Sequence, residues 1–274
     1  MSRACHYLGL SRQAYYQQRQ RTAQRDHQHQ QVLSMVTQIR LRQPRLGARK
    51  LHHLLQAPLA EAGIKLGRDG LFDLLRTARM LVPDRRAYHK TTHSHHRFYR
   101  HPNLLKEGQC QPQAPEQVWV ADITYLPTAQ QETYLSLVTD AYSRKIVGYH
   151  VHDTLQAEQV GRALEMALRH RHGHTPLIHH SDRGIQYCST HYQQIHQRHG
   201  LTCSMTDGYD CYQNALAERV NGILKGELLL HKPRDLQQAT TMVAQSVQIY
   251  NQERPHQALK YKTPDEVHRA FLVT

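Results

Sequence analysis

The sequence predicts a two-part chain, a basic all-α region followed by an α/β domain whose mixed sheet is covered by helices. Three observations predict it. The first 115 of the 274 residues hold twenty Lys and Arg against six Asp and Glu, and the rest hold fifteen against sixteen, so the net charge of +13 lies in the first part. Apolar residues recur at helical spacing as far as residue 80, whereas short β-branched runs alternate with amphipathic stretches from residue 117 onward. Three carboxylates, Asp122, Asp182 and Glu218, fall in the second part, two at the ends of strand-like runs and one on an amphipathic helix.

Residues 1–20 read as a helix, a turn at Gly9 and a second helix from Ser11, which is a favourable N-cap. Ala4, Leu8, Leu10, Ala14 and Tyr15 supply the apolar positions. The pair fits the last two helices of a helix-turn-helix, with Arg12 and Arg19 toward phosphate, and fits a plain helical hairpin nearly as well. Residues 17–31, QQRQRTAQRDHQHQQ, are almost free of apolar side chains and read either as a solvated linker or as an exposed helical continuation. Helices are expected over 32–42, 48–56 and 68–80, surrounded by Arg45, Arg49, Lys50, Arg68, Arg76 and Arg79. Residues 1–82 are therefore expected to be a helix-turn-helix-like DNA-binding region, with Arg45, Arg49, Lys50 and Arg68 as candidate phosphate contacts. The Pro-, His- and Arg-rich stretch 83–111 is expected to be a linker, and the second domain to run from 112 to 274.

In that domain VWVADITYL, TYLSLVTD and KIVGYHV read as three strands joined by hairpins. A helix over 155–171, the strand TPLIHHSD, a helix over 190–198 and the strand LTCSMT follow. After the loop DGYDCYQ, helices over 214–230 and 236–251 close the domain. On the first of these, Asn214, Glu218, Asn221 and Lys225 share one strip, and Leu216, Val220 and Ile223 the opposite one. That helix is expected to bury its apolar face and to present Glu218 with its polar neighbours toward a ligand.

Composition excludes other classes. Mean hydropathy is −0.70, and the chain has no apolar run near the roughly 18 residues of a membrane span and no leader-like apolar core. Five scattered cysteines without a C-x-x-C pair suit reduced thiols, so a cytoplasmic protein is expected, associated with the nucleoid when DNA-bound. The 23 histidines have no ordered partner cysteines and are expected on the surface or facing DNA rather than on zinc. Trp119 is expected in the core, and His180 either orients near Asp182 or packs at a strand end.

Each carboxylate alone has an ordinary explanation, as a strand end, a turn opener or a solvated helix residue. Together they differ, because Asp122 follows Trp119 and Val120 in a core-like strand where an unpaired carboxylate is costly. Neighbouring carboxylates raise one another's pKa unless a cation intervenes, and Mg²⁺ prefers oxygen ligands. The set is thus a candidate two-metal site for cutting and joining phosphodiesters.

Thirty-five residues separate Asp182 from Glu218, and Lys225 lies seven beyond the glutamate. These spacings resemble the DDE triad of retroviral-integrase-like transposases. The segments HHSDRGIQY, NALAERVNGILKGE and YNQERPHQALKYKTPDE, with PRLGARKLHHLLQ before them, resemble the second-frame catalytic protein of the insertion-sequence-three family. One departure stands at Gln213, where many relatives carry an acidic residue. The resemblance implies a ribonuclease-H-like core and metal-dependent strand cleavage and strand transfer at insertion-sequence ends. Asp122, Asp182 and Glu218 would be both catalytic residues and ligands for two Mg²⁺ (or Mn²⁺) with DNA bound, and Lys225 would contact terminal DNA. It further implies terminal inverted repeats and target DNA as partners, a homo-oligomer on DNA, and a first-frame partner or fusion. The competing expectations are a non-catalytic DNA-binding or regulatory copy, and a structure-specific nuclease on the same sheet.

Overall fold

The computed structural model describes residues 7, 9, 11–83, 101–106, 110–173, 175–207 and 214–271. The expectations for Ala4, Leu8, Leu10 and the loop from 208 to 213 lie outside them. The chain divides into two compact units, Met1–Asp84 and Arg85–Thr274.

In the first unit Ser11 caps α1 (Arg12–Arg42), its hydroxyl accepting the Ala14 N–H at 3.0 Å. The helix expected from Ser11, the exposed continuation offered for 17–31 and the helix expected over 32–42 form one continuous helix of 31 residues. Its first half is exposed on most sides, and Val32 and Val36, one turn apart, are fully buried. They join a core with α2 (Ala48–Glu61) and α3 (Arg68–Thr77). Helix α2 runs past its expected end at 56, straight through Pro58. Leu51, Leu55 and Leu59 continue one buried stripe across that proline, so packing outweighs the roughly 3 kcal/mol an interior proline costs. Helix α3 stops short of residue 80 because Arg79 turns left-handed (φ 55°) and Met80 N–H returns to Leu75 O at 2.8 Å. The Arg40 guanidinium donates to Met80 O and Leu46 O, tying α1 to the α1–α2 loop and to the residues just after α3.

The second unit is built on a five-stranded sheet of order β3-β2-β1-β4-β5. Strands β1 (Val118–Tyr125), β2 (Tyr134–Asp140) and β3 (Ile146–His152) form an antiparallel meander, while β4 (Ile178–Ser181) lies parallel to β1 and β5 (Thr202–Met205) parallel to β4. Parallel pairs need crossovers, and the helices making them cover the sheet. Trp119, Ala121 and Val138 pack on one face beneath α4 (Ala157–Arg169) and α5 (Thr190–His199). Leu135, Leu137 and Val151 pack on the other, beneath α6 (Ala215–Ile223), a wider π-helical turn (Leu224–Leu228) and α7 (Leu236–Gln252). Gly148 on β3 lets α4 lie close, since any Cβ there would meet the Ala163 carbonyl and the Ala167 methyl. This three-layer arrangement is the ribonuclease-H-like mixed sheet that the motifs implied.

Three details depart from expectation. The helix expected over 214–230 changes to π-helical geometry at Leu224. A short helix, α8 (Pro264–Arg269), closes the unit; its Thr263–Glu266 capping box was a signal in the sequence. Within the stretch read as a linker, residues 101–106 lie on β5, with Met205 N–H bonded to Pro102 O and Leu104 N–H to Ser204 Oγ. No helix among the described residues is long and apolar enough to cross a membrane.

Candidate active site

Strand pairing brings two of the carboxylates to one place. Val120 lies opposite His180 in the parallel β1–β4 register, and two residues further along each strand stand Asp122 and Asp182. Beyond the end of β4, Asp182 Oδ1 accepts the Gly184 N–H at 3.0 Å, which fixes the turn. A Cβ on Gly184 would stand 3.0 Å from that same oxygen, close enough that the carboxylate would have to shift by a few tenths of an ångström. Glu218 lies on the exposed side of α6.

Asp122 is partly exposed as a residue, yet its carboxyl is enclosed by protein. Burial, followed by the charge of Asp182, pushes its pKa up to about 7; the charge of Glu218 adds to this, while hydrogen bonds from Asn221 and the Ile123 backbone oppose it. Asp182 and Glu218 therefore both act electrostatically on Asp122.

Helix α6 presses its polar strip against β1. Asn221 Nδ2 donates to Asp122 Oδ2 at 2.7 Å, Asn214 Nδ2 donates to the Ala121 carbonyl at 3.0 Å, and Lys225 Nζ donates to Thr124 Oγ1 at 3.2 Å. This corrects the expectation of a strip turned toward a ligand: Asn214 and Asn221 are buried, and Glu218 alone of the four is exposed. The physical reason is that Val220 and Ile223 bury in one cluster with Leu135 and Leu137 of β2, so the helix lies down on the sheet with its asparagines against β1. The role of Asn221 beside Asp122 was not read from the sequence, although its place on the Glu218 strip was the available signal.

The donor chemistry suits a hard divalent cation. Besides the carboxylates, Asn214 Oδ1 and Asn221 Oδ1 are buried carbonyl oxygens with no donor, so the surroundings are rich in oxygen and poor in nitrogen or sulfur. Among the described residues, however, no three His, Cys, Asp or Glu side chains stand close enough together to hold an ion as they lie. The residues fit such an ion by chemistry and charge, with the side chains not drawn together.

The other expected site residues lie in the first unit. Arg45, Arg49 and Arg68 are exposed and Lys50 is half-buried; Arg68 pairs with Asp69 at 2.9 Å. His180 is fully buried, its Nδ1 bonded to Ser204 Oγ at 2.9 Å, so it packs between strands. Trp119 is fully buried in the core.

Residues 112–211 match the integrase core domain family, and residues 199–264 match a second integrase core domain family. The chain is 38% identical over 265 residues to an uncharacterized 31 kDa protein of insertion element IS600 from Shigella sonnei, covering 95% of each. It is 33% identical over 230 residues to the transposase InsF for insertion sequence IS3A of Escherichia coli K12, covering 82% of this chain and 78% of that one. It is 35% identical over 177 residues to a putative transposase for IS986/IS6110 of Mycobacterium tuberculosis (strain CDC 1551 / Oshkosh), covering 62% of this chain and 64% of that one. The HTLV-2 integrase catalytic core domain in complex with magnesium superposes with a TM-score of 0.46 at 18% identity, over 58% of this chain and 99% of that one.

Proposed function

Since the chain belongs to the insertion-sequence-three family of DDE transposases, whose catalytic part is an integrase core domain, we propose that Asp122, Asp182 and Glu218 carry its chemistry. The reaction is metal-dependent cleavage and strand transfer at the inverted-repeat ends of an insertion sequence. The observation that carries this assignment is the Asp122 carboxyl, enclosed beside Asp182 and under the charge of Glu218. Carboxylates are gathered in this way where a cation is to be held.

Asp122, Asp182 and Glu218 would hold Mg²⁺, or Mn²⁺ in its place. When bound, two such ions supply Lewis-acid activation of the attacking oxygen and neutralise charge at the phosphodiester. The chain's own residues do the positioning. Asn221 fixes the rotamer of Asp122, and the Gly184 N–H fixes Asp182. Lys225, anchored at Thr124 two residues beyond Asp122, sets a positive charge where a DNA phosphate would lie. Arg45, Arg49, Lys50 and Arg68 of the first unit are proposed to hold DNA backbone, and a homo-oligomer to hold two ends at once, with a first-frame partner or fusion aiding end recognition.

The test is a nicking and joining assay on the terminal repeats with Mg²⁺ or Mn²⁺, comparing wild type with Glu218→Gln and Asp182→Asn. Joined product from wild type alone, with all three proteins still binding DNA, supports the assignment. Joining by either variant removes its carboxylate from the chemistry. Binding without reaction by any of them favours a non-catalytic copy or a missing first-frame partner.

A further inference from the structure

The C-terminal segment contains a buried ion pair that the triad does not use. Arg254, 4% exposed, grips Glu227 with two parallel bonds, Nε to Oε2 and Nη2 to Oε1, each 2.8 Å. A planar guanidinium meeting a carboxylate in this fork is the most directional ion pair a protein makes. A third donor, Nη1, lies 3.2 Å from His256 Nε2; the guanidinium has no acceptor, so that ring nitrogen accepts. The His256 ring stands edge-on to buried Tyr250, with centroids 4.9 Å apart. Two residues after Tyr250's helix partner Ile249, Asn251 exchanges two hydrogen bonds of 2.9 Å with the backbone of Ile146 at the start of β3. The segment from Tyr250 to His256 is thereby bonded both to the sheet and to the turn carrying Glu227.

That turn is the π-helical stretch Leu224–Leu228, closed by Leu229 N–H to Leu224 O at 2.8 Å. A π turn widens the helix, is intrinsically poor, and persists where outside contacts hold it. Lys225 and Glu227 are two residues apart and so leave the helix on nearly opposite sides. One bonds Thr124 on β1 and the other bonds Arg254. The turn is gripped from both sides, next to the helix that carries Glu218.

We propose that Arg254 is a positioning residue: through Glu227 it holds the π turn in the register that sets Lys225 beside Thr124 and α6 against β1. The proposal rests on the site assignment above. It uses Arg254 and His256 as internal groups, both being buried.

The test uses the full chain with Arg254→Lys, Glu227→Gln and the reversal Glu227→Arg/Arg254→Glu. Single-turnover joining at saturating end DNA is measured beside DNA affinity, and amide exchange is followed over 224–230. Arg254→Lys and Glu227→Gln should slow joining by about tenfold or more, since small misplacements of a site are costly. Half-saturation by DNA should stay near wild type, exchange over 224–230 should quicken while the sheet keeps its protection, and the reversal should recover part of both. Wild-type protection at 224–230 in Arg254→Lys, or joining at the wild-type rate, overturns the proposal. So does uniform loss of protection with the reversal unrescued, which marks a plain stability effect. A wild type that joins nothing points instead to a non-catalytic copy or a missing first-frame partner, and the exchange data alone then decide whether the pair holds the turn.

Discussion

Asn221 donates its amide to Asp122 Oδ2 at 2.7 Å, and its own carbonyl oxygen is buried with no donor. The pair thus holds one carboxylate in place while leaving an acceptor at the same spot. Asn221→Ala should slow joining about 10–100-fold, the usual cost of losing a partner that orients a ligand. Asn221→Asp should do worse, since it adds a fourth negative charge. Single-turnover rates at saturating DNA check this, and a rate within a factor of two of wild type for Asn221→Ala would refute it.

Asp122 should make the cation-free protein less stable. Its carboxyl titrates near 7 in the fold against 3.8 ordinarily. The native state therefore binds more protons between these values, and stability falls as pH rises through them. The penalty is absent below about pH 4 and reaches about 4 kcal/mol above pH 7. In chelator at pH 8, Asp122→Asn should melt above wild type, with the gap closing toward pH 4. Added Mn²⁺ should raise the wild-type melting temperature and leave the variant's nearly unchanged. Equal melting temperatures at pH 8 would contradict the charge argument.

His196 is 3% exposed, and neither ring nitrogen has a hydrogen-bond partner. Burial, aided by His101, lowers its pKa to about 4. The unfolded chain takes up a proton below its ordinary value of 6.5 while the fold does not. Stability is thus fully present above that value and declines as pH falls toward 4, by up to about 1.4 kcal/mol per pH unit. Denaturant titrations of His196→Phe should show a shallower decline over this window. An unchanged slope would shift the acid sensitivity to other buried histidines, such as His179.

Arg45, Arg49, Lys50 and Arg68 are proposed phosphate contacts. Replacing any one by Ala should weaken binding to all DNA sequences alike and reduce the slope of log affinity against log salt by about one. The surface pair with Asp69 makes Arg68 the weakest of these, because it already has an anionic neighbour at 2.9 Å. Sequence-selective loss on Arg49→Ala would instead place that side chain at a base edge.

Much of the fold was legible because its signals are local. Alternation in VWVADITYL and the apolar stripe Val160–Leu164–Ala167 mark a strand and a helix without reference to the rest of the chain. The passage of α2 through Pro58 and the π turn at Leu224 were not legible. Each goes against local preference and is held by packing or by a distant residue, as Arg254 holds Glu227. The strip Asn214–Glu218–Asn221–Lys225 was readable as one helix face, but which wall it would lie against was not.

The sequence by itself determined the charge division, the strand and helix pattern, and the three carboxylates with their motif spacing, since composition and period need no neighbours. Only the tertiary structure decided that β1 and β4 pair in parallel with Val120 opposite His180, which sets Asp122, inside β1, beside Asp182, just past the end of β4. It also decided that Asn221 reaches Asp122 across 99 residues of chain. Pairing register and helix roll are settled by the summed burial of side chains from distant segments, and no local stretch of sequence contains that sum.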